Sequence, residues 1–418
     1  MIPRGTTIKT SLDGDAYVQH VNLQNVNVTR FQELKTAMPY SHMNFKPTWG
    51  VTTRRYKVTA TGTGAQADEI GGEIQLQSGT STDGIATVRT LERGQYQAGA
   101  MAQFGAGIRI PVLPTGTQFI EWGYTDFSQS GFFFGVDAID LYVGYIRSGV
   151  TTKIYRTDWT EDKLDGTGES GYDLDLADGH IAQIDFTWYG YGDIAFAYYT
   201  FDEVTRKIER TVVHRLKINQ STSIDDPNQP IAFRVGNGAT SNTNLSLYVG
   251  GHQFSVIDGE TKPNVRKGIE LLSNYTTATN TNWQPLISFR KKATFRNRPN
   301  SVLVIFNGYE LAADGELETR VTFGGVTSNL NWGTPTDYTA SETACETKVT
   351  GATALTASAT GTPIEYGFVS GVNKSAQMSS ETVEVPVEEE EIILWIRRLS
   401  SSGAVVVKHA HLSWEEEW

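Results

Sequence analysis

The sequence predicts an all-β protein, two jelly-roll-like antiparallel β-sandwich units with an irregular N-terminal arm. Three observations predict it. The 418 residues include 41 glycines and 11% aromatics, the composition of a turn-rich β protein. Apolar, β-branched and aromatic residues come in short runs punctuated by Gly, Asp or Ser, as the strands of a sandwich do. Thr and Ser tracts such as "VTATGTGAQ" and "TALTASATGT" suit strands and turns and contribute little to long helices. The length also exceeds the usual size of a single core, which favours more than one unit.

Residues 1–50 carry no sustained period and read as a docking arm. "VNLQNVNVTRFQELKTAM" fits one short helix with Thr29 as N-cap, and Pro39 and Pro47 flank "YSHMNFK" and exclude a continuing element. Such an arm drapes over a neighbouring subunit or a host assembly; a plain structured loop is the alternative. Residues 51–254 read as the first sandwich, with runs such as "RRYKVTATG", "EIQLQSG", "TQFIEWGY" and "DLYVGYIRSG". Its clearest pair is "HIAQIDFTWYGYGDIAFAYYTF". Ile184, Phe186 and Trp188 fall on one face, "YGYGD" turns, and Ile194, Phe196 and Tyr198 return. "IERTVVHRLKI" adds a third strand, with Ile208, Arg210, Val212 and His214 alternating against Glu209, Thr211 and Val213. Residues 255–283 mix Pro, Gly, Asn and Thr and read as a connection. Residues 284–418 form the second sandwich, from "PLISFRKKATF" to "AVVVKHAHLSW".

Charge and composition exclude several function classes. The net charge of −12 argues against a broad nucleic-acid-binding surface. No 18-residue apolar stretch occurs, and "MIPRGTTIKTSLDGDAYV" lacks the apolar core of a cleaved signal, so the expectation is a chain without a membrane span, made in a cytoplasm. The single cysteine, Cys345, cannot form an internal disulfide and reads as a buried thiol.

The stretch "KLDGTGESGYDLDL" places Gly166, Gly168 and Gly171 in the spacing of a dinucleotide-binding fingerprint. That fingerprint has meaning only between a buried parallel strand and a helix N-terminus, and here charged "TDWTEDKLD" precedes it and a strand follows. The glycines therefore read as a tight loop, and no cofactor is implied. Asp173 and Asp175 have the i, i+2 spacing of a glycosidase pair, but Leu174 and Leu176 alternate with them as on a half-buried strand. With Asp178 they could offer oxygens to calcium, although no EF-hand loop surrounds them. His409 and His411 share a strand face without an evident third metal ligand. Glu388 to Glu391 read as a solvated turn that discourages edge pairing, or as a contact for a basic partner. The aromatics Trp122, Tyr124, Phe132, Phe133, Phe134, Trp188, Tyr189 and Tyr191 suit core packing; Trp188 and Tyr191, beside the hairpin turn, are the candidates for stacking on a host-surface glycan.

The stretch "TDWTEDKLDGTGESGYDLDLADGHIAQIDFTWYGYGDIAF" resembles a segment of virion structural proteins of tailed bacteriophages. In those proteins a W-x-x-D-K-L-D-G-T-G-x-S-G loop leads into an apolar strand, W-x-G-x-G and a returning strand. The matching residues here are Trp159, Asp162, Lys163, Leu164, Asp165, Gly166, Thr167, Gly168, Ser170, Gly171, Trp188, Gly190 and Gly192. "ERGQYQAGA", "GFFFG", "PLISFRKKATFRNRPN" and "HLSWEE" extend the likeness, with fewer matches, from about residue 90 to the end. The resemblance implies a non-enzymatic component of a virus particle built from jelly-roll-like sandwiches, with no catalytic residues to carry over. Its expected partners are other virion proteins and itself, a homotrimer by analogy with sandwich-built viral proteins. Three roles stay open at this point: a projecting fibre or tail attachment protein, a capsid or neck decoration, and a polysaccharide-binding or polysaccharide-degrading enzyme.

Overall fold

Alternation along single strands decides which way each sheet faces. In Met101–Arg109, Ala102, Phe104, Ala106 and Ile108 are buried in the core, so Gln103, Gly105 and Gly107 lie on the opposite face. The computed structural model describes residues 6–13, 16–23, 39–187, 192–202, 207–217, 225–257, 265–271, 273–277, 281–325, 338–349, 361–369, 374–385, 391–399 and 403–417. Nearly all of its regular structure is strand, and antiparallel sandwiches are observed as the sequence predicts.

The first sandwich pairs a seven-stranded sheet with an eight-stranded one. The seven-stranded sheet runs, edge to edge, through Val150–Tyr155, Leu141–Arg147, Gly131–Asp137, Phe119–Thr125, Ile231–Gly236, Ile85–Thr90 and Tyr56–Thr61. The other runs through Lys207–Lys217, Asp193–Asp202, His180–Phe186, Met101–Arg109, Ser246–Ile257, Glu73–Gln77 and Gln66–Ile70, with Pro39–Phe45 also paired to Ser246–Ile257. Aromatic rings join the two sheets. Phe134 meets Phe196 edge-on at 5.3 Å and Tyr124 stacks on Phe254 at 4.9 Å across them, and Trp122 lies near-parallel to Phe134 at 5.9 Å within the seven-stranded sheet. On the far face of the seven-stranded sheet, Phe133, Tyr142 and Ile146 form a smaller apolar cluster. There a Cβ at Gly135 would run into the Tyr142 ring, so glycine at that position lets the ring lie across the sheet.

The predicted meander is present. His180–Phe186 pairs with Asp193–Asp202, which pairs with Lys207–Lys217, and Ile184, Phe186, Ile194, Phe196 and Tyr198 are buried. Its third strand departs from the expected alternation because a bulge between Phe196 and Ala197 shifts the register. Val213 and His214 are consequently both buried, while Ile208 is 67% exposed.

A second core uses none of the same residues: the first spans Met43 to Val256 and the second Ile269 to Trp414. One of its sheets orders Val265–Glu270, Val406–Glu417, Leu303–Ala313 and Lys374–Glu384, with Tyr275–Thr276 beside Val406–Glu417. The other orders Cys345–Val349, Gln284–Lys291, Ile392–Arg398, Leu317–Phe323 and Thr362–Val369. Phe289 stacks on Trp414 at 4.8 Å between them. A buried ion pair, Lys267 to Glu416 at 3.1 Å, ties Val265–Glu270 to the last strand. The Glu416 carboxylate also accepts from Thr343 Oγ1 at 2.6 Å, Ala344 N at 3.0 Å and Trp414 Nε1 at 2.9 Å.

The expected boundaries need correcting in three places. "YSHMNFK" is not excluded from regular structure: Pro39–Phe45 is a strand, and Met43 and Phe45 are in the first core. Pro39 is its first residue, where a missing N–H costs no internal ladder bond. The residues read as a connection contain the end of Ser246–Ile257 and the strands Val265–Glu270 and Tyr275–Thr276. Earlier in the arm, Thr6–Asp13 and Ala16–Leu23 pair as a two-stranded sheet of their own, from Thr6 opposite Leu23 to Asp13 opposite Ala16. The helix expected at Thr29 lies outside the described residues. No described helix is long and apolar enough to cross a membrane.

Candidate functional site

The glycine loop is a structural staple. Asp162, buried in the loop, accepts Leu164 N at 2.8 Å and Ser170 N at 2.7 Å, closing the chain around one carboxylate. A Cβ at Gly168 would run into that carboxylate, and Gly166 and Gly171 have φ of 78° and 63°. Asp165 accepts Thr167 N at 3.0 Å and Thr167 Oγ1 at 2.6 Å, which holds its own carboxyl below the ordinary range. Trp159, Leu164, Leu174 and Leu176 are in the first core, so the loop caps the sandwich. Val150–Tyr155 and a short 3-10 turn lead in, and the strand His180–Phe186 leads out. This is the tight-loop reading of the fingerprint, not the strand-to-helix geometry of a nucleotide site.

The other sequence candidates separate in space. Asp173 and Asp175 are exposed on one side of this loop, with Leu174 and Leu176 buried on the other. Among the described residues, no three side chains of His, Cys, Asp or Glu are gathered as a cation would need. Trp122, Tyr124, Phe132, Phe133 and Phe134 are all core. His409 and His411 flank the buried Ala410, and His409 Nε2 lies 3.9 Å from Glu310. Cys345 is fully buried, and burial pushes its thiol up, away from reactivity. Glu391 is buried rather than solvated, a correction to the acidic-turn reading, and Glu388, Glu389 and Glu390 lie outside the described residues. Trp188, Tyr189 and Tyr191 lie outside them too.

The face of the eight-stranded sheet that points away from the core carries a constellation the sequence reading missed. Register aligns Ser255, Gln103 and Asp185 across three neighbouring strands, and Gln253, Gly105 and Gln183 in the next row. Ser255 Oγ donates to Gln253 Oε1 at 2.6 Å, and Gln103 Nε2 and Gln183 Nε2 donate to Asp185 Oδ1 at 3.2 and 2.7 Å. Arg210 forms an ion pair with Asp185 Oδ2. Ser255, Gln103, Gln183 and Asp185 are all buried although they face outward. Gly105, Gly107, Ala195 and Ala197 occupy this same face, so a floor of small side chains lies among long polar ones. Tyr199 stands opposite Arg210, its hydroxyl pushed up by burial.

Such a ladder can recognise hydroxyl-bearing ligands, because amide and guanidinium groups are fixed in place by their mutual bonds. Asp185 is the one carboxylate among the described residues of these rows, and it is neutralised by Arg210. Hydrolysis of a glycosidic bond uses two facing carboxyl groups, and the described residues of these rows hold one, Asp185.

No family model matches this chain, and no curated protein matches it. Several solved structures superimpose on part of it. The carbohydrate recognition domain of Emp47p is 12% identical, with 48% of this chain and 88% of that chain covered and a TM-score of 0.31. The metal-free form of lectin I-B4 from Griffonia simplicifolia is 11% identical, covering 51% and 99%, with a TM-score of 0.31. Alginate lyase vAL-1 from Chlorella virus is 10% identical, covering 48% and 93%, with a TM-score of 0.32. At this level of superposition none of the three informs the chemistry of this chain.

Proposed function

We propose that this chain is a non-enzymatic structural component of a tailed bacteriophage particle, a projecting fibre, tail or surface-attachment protein anchored by its N-terminal arm. The observation that carries the reading is the hairpin of Thr6–Asp13 and Ala16–Leu23, which forms a sheet separate from those of both sandwiches. A two-stranded hairpin is marginal alone in water and gains stability by lying on another surface. The resemblance of the loop at Trp159 to Gly171 to a segment of phage virion proteins supports the same reading. In this account the protein is made in the host cytoplasm, resides in the virion, and contacts other virion proteins and its own copies as a homotrimer. The outer face of the eight-stranded sheet, with Trp188 and Tyr191 following its strand His180–Phe186, is the surface offered to host glycan.

Deleting residues 1–38 and counting the protein in purified particles tests the anchor. The expected result is a folded protein absent from particles. Incorporation at the full-length level overturns the anchoring role, and absence of the full-length chain from particles overturns the virion assignment.

A further inference from the structure

In the second sandwich, the sheet that contains Ile392–Arg398 carries a cluster of rings and charges on the side away from its core. Ile392, Leu394 and Ile396 face the core, so Ile393, Trp395 and Arg397 face outward, and Ile393 and Trp395 form a separate apolar cluster with Trp283. Register sets Arg320 between Trp395 and Tyr366, and Glu318 between Arg397 and Phe368, on the same outward face. Tyr366 and Phe368 belong to the edge strand Thr362–Val369 and are each 54% exposed. The outward face is therefore a platform of aromatic rings with two arginines among them.

The two arginines are held differently. Arg397 lies over the Trp283 ring at 4.7 Å and donates from Nε to Glu318 Oε2 at 2.6 Å, which takes up the carboxylate of these two rows. Arg320 lies 5.7 Å from the Trp283 ring and 4.8 Å from the Tyr366 ring, and its Nη2 donates to the Tyr366 hydroxyl at 2.6 Å in a bond open to solvent. Its Nε is buried and meets no acceptor. Glu365, next to Tyr366 in the chain, pairs with the core residue Val321 and so lies on the other side of the sheet, where burial alone pushes its carboxyl up. Among the described residues Arg320 makes no ion pair, and its charge rests on aromatic faces and one hydroxyl. In a chain of net charge −12, this leaves a guanidinium without an acid partner beside two exposed rings.

We propose that this platform binds an acidic saccharide, with a uronate-type carboxylate on Arg320 and the C–H face of the sugar ring on Tyr366 and Phe368. A guanidinium is the side chain best matched to a carboxylate, and exposed rings beside it supply the flat apolar area that the face of a sugar ring covers. A nucleic-acid strand calls for a line of cations along its phosphates, whereas these rows leave one guanidinium unpaired. The inference is independent of the virion assignment and of the outer face of the eight-stranded sheet.

Titration calorimetry of the full chain with an oligogalacturonate, a neutral galactose oligomer of the same length, a single-stranded oligonucleotide and a peptide of Glu and Phe tests it. The oligogalacturonate is expected to bind, less tightly as salt is added, and the neutral oligomer to bind at least about tenfold more weakly. Arg320→Ala is expected to weaken oligogalacturonate binding by at least about tenfold and Phe368→Ala by about threefold, whereas Gln103→Ala on the first sandwich stays within about twofold. Phe368 is exposed and outside the apolar clusters, so its variant carries the test if Arg320→Ala does not fold. No binding of the oligogalacturonate, equal affinity for the neutral oligomer, unchanged affinity in the folded platform variants, loss of binding in Gln103→Ala, or tighter binding of the oligonucleotide or the peptide would overturn the proposal.

Discussion

The two sandwiches are stabilised by different means. The first is joined by aromatic contacts across its sheets, Phe134 with Phe196 and Tyr124 with Phe254, with Trp122 packed on Phe134 within one sheet. The second has a core richer in aliphatic side chains and adds a buried ionic knot, Lys267 with Glu416, that holds its first strand to its last. Apolar burial is non-directional and tolerates some rearrangement, whereas a buried ion pair fixes one register and is costly when half of it is removed. The first unit also buries a paired carboxylate, Glu121 with Arg234, but on the far face of its seven-stranded sheet, whereas Lys267 with Glu416 ties the first strand of the second unit to its last.

Four measurements sharpen that contrast. Trp122→Ala should cost the first sandwich about 3–5 kcal/mol, by lost burial and the cavity left behind, as read by denaturant titration. An unchanged midpoint would show that the Trp122 ring does not hold the core of the first sandwich together. Lys267→Met should cost the second sandwich a comparable amount, about 3–5 kcal/mol, because it leaves Glu416 buried and uncompensated. Pairing it with Glu416→Gln should recover most of the loss; a double variant no better than the single one would contradict the ionic account.

A pH titration separates the units next. His252 is buried beside Phe45, Tyr56 and Phe233, and burial pulls its imidazole from 6.5 down to about 4. The unfolded chain takes up that proton first as pH falls, so stability is full above about pH 6.5 and declines toward pH 4, by up to about 3 kcal/mol. This loss should appear in the first sandwich and be reduced in His252→Gln; a pH-independent midpoint across that window would refute it. The smallest effect is expected from Asp162→Ala, about 2 kcal/mol for two charge-assisted hydrogen bonds. Hydrogen exchange should quicken at the amides of Leu164 and Ser170, and unaltered protection there would mean that the carboxylate does not close the loop.

Much of this architecture can be read from alternation, and its limits are physical. Ile184, Phe186, Ile194 and Phe196 declare one face of a meander because strand period is local. The tight loop at Gly166, Gly168 and Gly171 is likewise local, set by neighbouring carboxylates and positive φ. Pro39–Phe45 was hidden by its flanking prolines, since its role as a strand depends on Ser246–Ile257, some 200 residues away. The ladder of Gln103, Asp185 and Ser255 was illegible for the same reason: each is an ordinary outward polar residue until register brings three strands together. Arg320 meets Trp283 and Tyr366 through the packing of distant segments, which no spacing in the chain encodes.

The most direct test of the central claim is cryo-electron microscopy of intact particles with the two sandwiches fitted into density. The account expects this chain to project from the tail or another particle surface, with the hairpin of Thr6–Asp13 and Ala16–Leu23 laid against neighbouring subunits. Density on the capsid shell would keep the virion role and make it a decoration. Particles with no density for either sandwich would contradict the claim.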